Sequence, residues 1–163
     1  MLGIGESQSD AISLLKGDHK AVDELFKEYE ARKEEGKVGA KVKIAKQICD
    51  ELTVHATIEE EIFYPAARLH AADARDLVEE AAVEHQTLKD IIGRLQAAPS
   101  SDPLYDAGVK VLSEYVKHHV KEEENELFPK VRRSNLDLVA LGERLLARKT
   151  ELQKGGVKQR RAA

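Results

Sequence analysis

Apolar residues recur every three or four positions in four long stretches of the chain, and short loops rich in glycine, proline or polar residues separate the stretches. This spacing predicts four helices, each with one apolar face. Helices joined by such short loops lie antiparallel to their neighbours, so we predict an all-α protein with an up-down-up-down four-helix bundle. The stretches run from Ser9 to a break at Gly36, from Ile44 to Phe63, from Asp73 to a break at Pro99, and from Leu104 to Phe128.

The pattern predicts three consecutive parts of the chain. Residues 1–133 form the bundle, and residues 134–153 form a short fifth helix that packs on the bundle or extends it. This helix is expected from Leu136 to about Leu152, with Ser134 or Asn135 as its cap. Residues 154–163 contain adjacent glycines and several basic residues, and they are expected to form a flexible tail.

Composition and charge narrow the class of protein. The 163 residues include one cysteine and no tryptophan, and no stretch approaches the roughly 18 apolar residues of a membrane-spanning helix. Because Cys49 is alone and no secretory leader is evident, a cytoplasmic protein without disulfides is expected. The net charge is −4, and residues 144–163 carry seven basic residues against one acidic residue, which leaves −10 on residues 1–143. An acidic bundle argues against nucleic-acid and membrane partners.

A sequence repeat divides the bundle into two helical hairpins. The segment from His55 to Pro65 aligns with the segment from His119 to Pro129 at a constant offset of 64, and both contain His-x-x-x-Glu followed by an aromatic residue and proline. Asp18-His19 aligns with Glu84-His85 at an offset of 66. Proline inside a helix removes a hydrogen bond and clashes with the preceding turn, so each proline is expected to kink or end its helix.

Six polar residues of this repeat fall on the apolar faces of the helices. His19, for example, lies four residues after Leu15 and three before Val22. Burying four imidazoles and two carboxylates without partners would cost several kcal/mol for each group, and a metal cluster would remove that cost. The predicted ligands are His19, His55, Glu59, His85, His119 and Glu123.

The types of donor atom favour iron or manganese. Imidazoles and carboxylates without thiolates suit these metals, whereas structural zinc sites are more often tetrahedral and rich in thiolates. Six ligands are too many for one mononuclear catalytic site and about right for two ions bridged by carboxylates. A ferritin-like site uses Glu-x-x-His, whereas here each His precedes its Glu by four residues.

The ordered ligand set resembles the hemerythrin-like HHE cation-binding domains over about residues 11–131. The resemblance implies a hemerythrin-like bundle with two iron ions, bridged by Glu59, Glu123 and an oxo or hydroxo group, that reacts with dioxygen, hydrogen peroxide or nitric oxide. Oxygen-carrying hemerythrins have a fifth His one turn before the third-helix His, where this chain has Ala81. Catalase-like decomposition of peroxide is therefore expected rather than reversible oxygen carriage, with no catalytic residues beyond the metal ligands.

One alternative function and several further residues stay open. The same ligands suit a module that binds or senses iron, or binds oxygen, without turnover. Tyr115 and Glu51 lie one turn before a ligand His and are candidates for an additional ligand. Asp18 and Glu84 are candidates for orienting imidazoles, and His118 for a solvated or outer position. The carboxylates next to the two ligand glutamates are expected on the surface.

Overall fold

The computed structural model describes residues 10–162, and the side chains of residues 10–156. Within these residues all regular secondary structure is helical, which confirms the all-α prediction. Among the helices in this part of the chain, none is both long and apolar enough to cross a bilayer. The α-helices are α1 (Ala11–Glu34), α2 (Val38–Ile58), α3 (Tyr64–His70), α4 (Arg75–Ala97), α5 (Tyr105–Glu122), α6 (Phe128–Arg133) and α7 (Leu138–Ala162), with a 3₁₀ turn at Ala72–Ala74.

Helices α1, α2, α4 and α5 pack around a common core. Helix α1 packs along α2 and α4 along α5, so each half of the sequence repeat forms one hairpin, and α2–α4 and α1–α5 contacts join the two hairpins. The Asp10 carboxylate caps α1 by accepting a hydrogen bond from the Ser13 N–H. Gly36 has φ of 70°, a conformation that glycine adopts without strain, and this lets the chain reverse from α1 into α2.

One turn of π-helix precedes each of the two prolines of the repeat. The turns are Glu59–Phe63 and Glu123–Leu127. After the first turn, the Tyr64 N–H bonds to the carbonyl five residues back, which accommodates one extra residue. Pro65 and Pro129 then lie in the first turn of α3 and α6, where a backbone N–H needs no intrahelical acceptor. The expected breaks are therefore π turns, and the helical course continues beyond them.

A layer of polar residues divides the apolar core into two clusters. The lower cluster contains Phe63 and Phe128, and the upper cluster contains Phe26, Tyr29 and Ile48. The six predicted ligands lie between these clusters, and all six are buried. The candidate ligands therefore lie between two apolar clusters.

Helix α7 packs on α1 and α2, so it covers one side of the first hairpin. Leu141 and Leu145 join the lower core cluster. The Arg148 guanidinium pairs with the Glu61 carboxylate at 2.7 Å. Helix α7, which corresponds to the predicted fifth helix, is therefore part of the same packed unit as the first hairpin.

The ends of α7 differ from those predicted. The Asp137 carboxylate accepts a hydrogen bond from Ala140 N–H at 3.0 Å, so the predicted cap at Ser134 or Asn135 is wrong. The helix continues past its predicted end at Leu152, because no proline interrupts it and each glycine costs only about 1 kcal/mol. Residues 154–162, predicted as a flexible tail, thus continue the helix, and residue 163 lies outside the described residues.

Candidate metal centre

Six buried side chains from both hairpins meet at the centre of the bundle. Helices α1, α2, α4 and α5 each contribute one His, and each π turn contributes its first residue, a Glu. The His55 Nε2 atom lies 2.7 Å from Glu59 Oε1, and the Nε2 atoms of His85 and His119 lie 3.2 Å apart. The structure therefore brings together the residues predicted as ligands: His19, His55, Glu59, His85, His119 and Glu123.

The six residues form two groups of three, and in each group the donor atoms lie within 4.8 Å of one another. Each group combines the two His of one hairpin with the Glu of the other hairpin. The groups are His19, His55 and Glu123, and Glu59, His85 and His119.

The Glu123 carboxylate reaches both groups. Its Oε1 lies 3.2 Å from His19 Nε2, and its Oε2 lies 3.4 Å from His119 Nε2. Glu59 Oε1 likewise lies 2.7 Å from His55 Nε2 and 3.6 Å from His85 Nε2. Each carboxylate is thus close to a His from each hairpin, an arrangement that suits two cations with shared carboxylate ligands.

Several atoms that face the centre have no hydrogen-bond partner. They include the Nε2 atoms of His19 and His55, both carboxylate oxygens of Glu59, and Glu123 Oε1. His55 Nε2 and Glu59 Oε1 are close, but their relative orientation does not make a hydrogen bond. Buried polar atoms without partners are costly, and a cation would satisfy several of them at once. These residues therefore fit a pair of metal ions.

Carboxylates outside the centre orient two of the imidazoles. The His55 Nδ1–H donates to Asp18 Oδ2 at 2.9 Å, and the His119 Nδ1–H donates to Glu84 Oε1 at 3.4 Å. Each carboxylate thus contacts the His on the paired helix of its hairpin rather than the His next to it in sequence. A proton on Nδ1 leaves the Nε2 lone pair available for a metal.

Two more carboxylates, those of Glu60 and Glu124, lie beside the Nδ1 atoms of the other two imidazoles. The His19 Nδ1–H donates to Glu124 Oε1 at 3.0 Å, and His85 Nδ1 lies 3.8 Å from Glu60 Oε1, which Lys89 also contacts at 2.6 Å. The expectation that these carboxylates are fully on the surface is wrong, because both are only partly exposed. Glu60 and Glu124 occupy equivalent positions in the repeat, each directly after a candidate ligand Glu. This equivalence could have indicated from the sequence that both carboxylates lie near the centre.

The electrostatics of the metal-free centre favour protons on two imidazoles. Burial lowers the pKa of His55, but the nearby Glu59 and Asp18 carboxylates outweigh burial and raise that pKa to about 10. Burial opposes the shift at His119 as well, but the nearby Glu123 and Glu84 carboxylates outweigh it and raise the pKa of His119 to about 11. Without metal, protons on these rings therefore balance part of the negative charge.

Tyr64 is a residue of the centre that helical spacing did not reveal. Its hydroxyl donates to Glu123 Oε2 at 2.6 Å and lies 3.2 Å from His85 Nε2 and 3.4 Å from His119 Nε2. Burial and the nearby carboxylates raise its pKa well above the usual value. The equivalent residue in the repeat is Phe128, whose ring stacks on His19 with centroids 6.0 Å apart. At this pair of equivalent positions the two halves of the centre therefore differ by one hydroxyl group.

Three of the proposed additional residues lie outside the centre. Tyr115 is 46% exposed, because Val116 takes the inward position one turn before the ligand His of α5. Glu51 is partly exposed and accepts a hydrogen bond from Gln47 on its own helix. The side chain of His118 is 61% exposed, and it points towards surface carboxylates. The structure therefore does not bring Tyr115 or Glu51 to the centre.

A small cavity lies between the four imidazoles of the centre and the upper core cluster. Its volume is about 30 Å³, which is enough for a water molecule or a similarly small ligand. Its walls are mostly aliphatic, and Asp18, Thr53 and Lys89 are among its polar neighbours. The lining includes His19, His55, His85 and His119 together with Val22, Leu52, Leu88, Ile92, Val116 and Val120. A ligand in this cavity would have to be small.

Comparisons with known proteins agree with this fold and centre. The sequence is 30% identical over 121 residues to a DNA nickase from Nostoc sp. (strain PCC 7120), and the match covers 73% of this chain but 32% of that relative. A crystal structure of a hemerythrin HHE cation-binding domain-containing protein from Mycobacterium kansasii superimposes with a TM-score of 0.73, covers 93% of this chain and 92% of its own, and is 23% identical, so it supports the fold. The sequence model of the family described as "Hemerythrin HHE cation binding domain" matches residues 10–131. The resemblance noted from the ligand motifs is therefore confirmed, and the chain belongs to the hemerythrin HHE cation-binding domain family.

Proposed function

We propose that this protein binds two iron ions at the centre and decomposes hydrogen peroxide. The observation that carries the proposal is the pair of three-residue groups, which leave the Nε2 atoms of His19 and His55 and carboxylate oxygens of Glu59 and Glu123 without hydrogen-bond partners. His19 and His55 would hold one ion and His85 and His119 the other, with Glu59 and Glu123 shared between them. The up-down-up-down course of the bundle belongs to the same proposal, and the short connections between its helices support it.

Iron is proposed because of the donor set. The two groups contain imidazole and carboxylate donors, which suit iron, and contain no thiolate. Cys49 is buried in the upper core cluster among apolar residues, and burial raises the pKa of its thiol to about 11, so it does not act as a thiolate ligand at neutral pH. A hydroxo or oxo bridge between the ions would complete the charge balance.

The reaction requires electrons, protons and a small binding space. Two iron ions, when bound, supply the pair of electrons that peroxide decomposition takes up and returns. Reduction of one peroxide to two water molecules consumes two protons, and oxidation of a second peroxide to dioxygen releases two. Tyr64 holds a proton at neutral pH and shares it with Glu123 across 2.6 Å, so this pair can give and take protons at the centre.

The cavity and Ala81 support a small, exchangeable ligand. The cavity is small and lies against all four imidazoles, so its size favours a ligand such as peroxide, dioxygen or nitric oxide over a larger substrate. Ala81 is buried one turn before His85 and offers no ligand atom. A side-chain ligand at that position would compete with an exogenous molecule, and its absence favours turnover over reversible binding.

The experiment measures iron content and dioxygen release together. After anaerobic loading with ferrous iron, we expect two irons per chain in the wild type and in Glu126→Ala, an exposed carboxylate of the same π turn. Glu123→Ala should retain fewer than one, since the variant lacks the carboxylate that reaches both groups. Addition of peroxide to the iron-loaded wild type should release one dioxygen for every two peroxides consumed, as an oxygen electrode would record.

Three results would change this proposal. Equal iron content in Glu123→Ala and Glu126→Ala would mean that the site lies elsewhere. Bound zinc with no uptake of ferrous iron would contradict the assignment of the metal. Two irons per chain without dioxygen release would favour a module that binds or senses iron instead of an enzyme.

A further inference from the structure

A second cluster of possible metal ligands lies on the surface, outside the centre. It consists of Glu84 on α4 with His118 and Glu122 on α5. His118 Nε2 lies 3.6 Å from Glu84 Oε2 and 3.4 Å from Glu122 Oε1. His118 and Glu122 are four residues apart and therefore project from the same face of their helix. One imidazole and two carboxylates thus converge where solvent can reach them.

The other half of the repeat shows that packing does not require polar residues here. The positions equivalent to Glu84, His118 and Glu122 are Asp18, Val54 and Ile58. Ile58 is fully buried in the lower core cluster, and Val54 is partly exposed. Lys149 from α7 contacts Asp18 on that side. A His and a Glu replace two aliphatic residues in the half that includes Glu84.

Glu84 connects the surface cluster to the centre. Its Oε2 faces His118, and its Oε1 accepts the hydrogen bond from Nδ1 of His119, a ligand candidate of the centre. A cation held by Oε2 would therefore be one carboxylate away from the His119 ring.

One carboxylate oxygen of the cluster also has no hydrogen-bond partner. Glu122 Oε2 is buried and has no hydrogen-bond partner, although the Glu122 side chain as a whole is 29% exposed. A cation would satisfy this oxygen, whereas the contact to His118 uses only Oε1.

We propose that Glu84, His118 and Glu122 form an outer site for a divalent first-row transition-metal cation, on the route by which ferrous iron reaches the His119 side of the centre. The loading role rests on the proposed function, but the outer site itself does not. Imidazole and carboxylate donors suit such cations. Three protein ligands leave the remaining positions to water, so the ion binds reversibly and can move inward.

The first test uses zinc as the probe and the iron-loaded protein. Equilibrium dialysis should show one zinc per chain in addition to iron for the wild type, and His118→Ala should bind zinc at least tenfold more weakly. The matched control, His70→Ala, removes another exposed histidine and should behave as the wild type. Iron is counted in the same samples, so low iron would count against the proposed function, while the zinc difference between variants would still decide the outer site.

The second test measures loading. Stopped-flow mixing of metal-free protein with ferrous iron should show initial uptake about tenfold slower in His118→Ala than in His70→Ala, with the same final iron content. Equal zinc binding in both variants would overturn the site and identify the cluster as a set of surface contacts between His118 and the two carboxylates. Equal loading rates would overturn the route.

Discussion

Tyr64 and Phe128 occupy equivalent positions of the repeat and differ by one hydroxyl group, yet their surroundings differ greatly. The Tyr64 hydroxyl contacts Glu123 and two imidazoles, while the Phe128 ring stacks on His19. A proton donor is thus present beside the His85 and His119 side of the centre, and an apolar ring beside the other. The two ions are therefore expected to have different reactivity.

Replacing Tyr64 with phenylalanine should separate turnover from iron binding. Tyr64→Phe keeps the ring and removes the proton that is shared with Glu123, so iron content should stay near that of the wild type while peroxide turnover falls by about 100-fold. Dioxygen release per iron is the measurement. Tyr115→Phe, at an exposed position, is the control and should turn over peroxide as the wild type does. Unchanged turnover in Tyr64→Phe would exclude this proton role.

The raised pKa values of His55 and His119 predict how the metal-free protein responds to pH. Both values lie well above the ordinary 6.5, so protonation of these rings stabilises the fold fully below pH 6.5 and is lost as pH rises towards about 10 and 11. The melting temperature of the metal-free protein should fall by about 5 °C or more between pH 6.5 and 9.5. In the iron-loaded protein the fall should be smaller, because metal replaces the protons. A melting temperature that rises over this range would contradict the assignment.

The residues of the centre differ in how far the sequence reveals them. His19 and the other five candidates interrupt apolar stripes at helical spacing, which predicts that they meet. The carboxylate contacts could not be predicted in the same way, because the Asp18–His55 bond crosses between helices and depends on their relative rotation. The position of Glu60 beside His85 could not be predicted either, because that contact also crosses between helices.

At the scale of helices, the π turns explain why Tyr64 escaped the spacing analysis. In a regular α-helix, residues five apart point about 140° away from each other. In the π turn Glu59–Phe63 the Tyr64 N–H donates to the carbonyl of Glu59, five residues earlier. The wider turn places Tyr64 on the same side of the helix as Glu59. The second π turn does the same for Glu123 and Phe128. A proline that closely follows His-x-x-x-Glu was the signal for such a turn.

Helix α7 contacts a carboxylate at the edge of the centre through Lys149. Its Nζ contacts Asp18, the carboxylate that orients His55, and these contacts lower the pKa of Asp18 despite its burial. Lys149→Ala should weaken iron binding by about tenfold, since the outer partners of metal ligands have effects of this size. Competition against a chelator measures it, with the exposed Lys154→Ala on the same helix as the control. Equal affinities in the two variants would show that α7 does not influence the centre.

The long helices were predictable because each carries a sustained apolar stripe and ends at glycine, proline or polar residues. The C-terminal end of α7 was not, because Gly155 and Gly156 weaken a helix without breaking it, and the apolar pattern fades before the helix does. Local composition gives a propensity, and contacts of earlier residues such as Leu145 with the bundle keep the first part of α7 in place.

For the whole molecule, the polar layer between the two core clusters predicts that stability depends on metal. A pair of ions would link α1, α2, α4 and α5, whereas in its absence protons on His55 and His119 compensate only part of the charge. Removing iron with a chelator should lower the melting temperature by about 10 °C while the far-ultraviolet circular dichroism stays helical. Complete loss of helical signal would mean that metal is required for folding, and no shift would mean that the ions do not bind in the core.

The exchange of carboxylates between hairpins has a consequence for symmetry. Since Glu123 joins His19 and His55, and Glu59 joins His85 and His119, neither hairpin holds a complete group by itself. Two copies of one hairpin could build an equivalent pair of groups, but in such a symmetric dimer every residue would occur twice at matching positions. Covalent linkage in one chain removes that constraint and makes the assembly independent of protein concentration. It allows a phenol beside one three-residue group, a phenyl ring beside the other, and a covering helix over one hairpin alone.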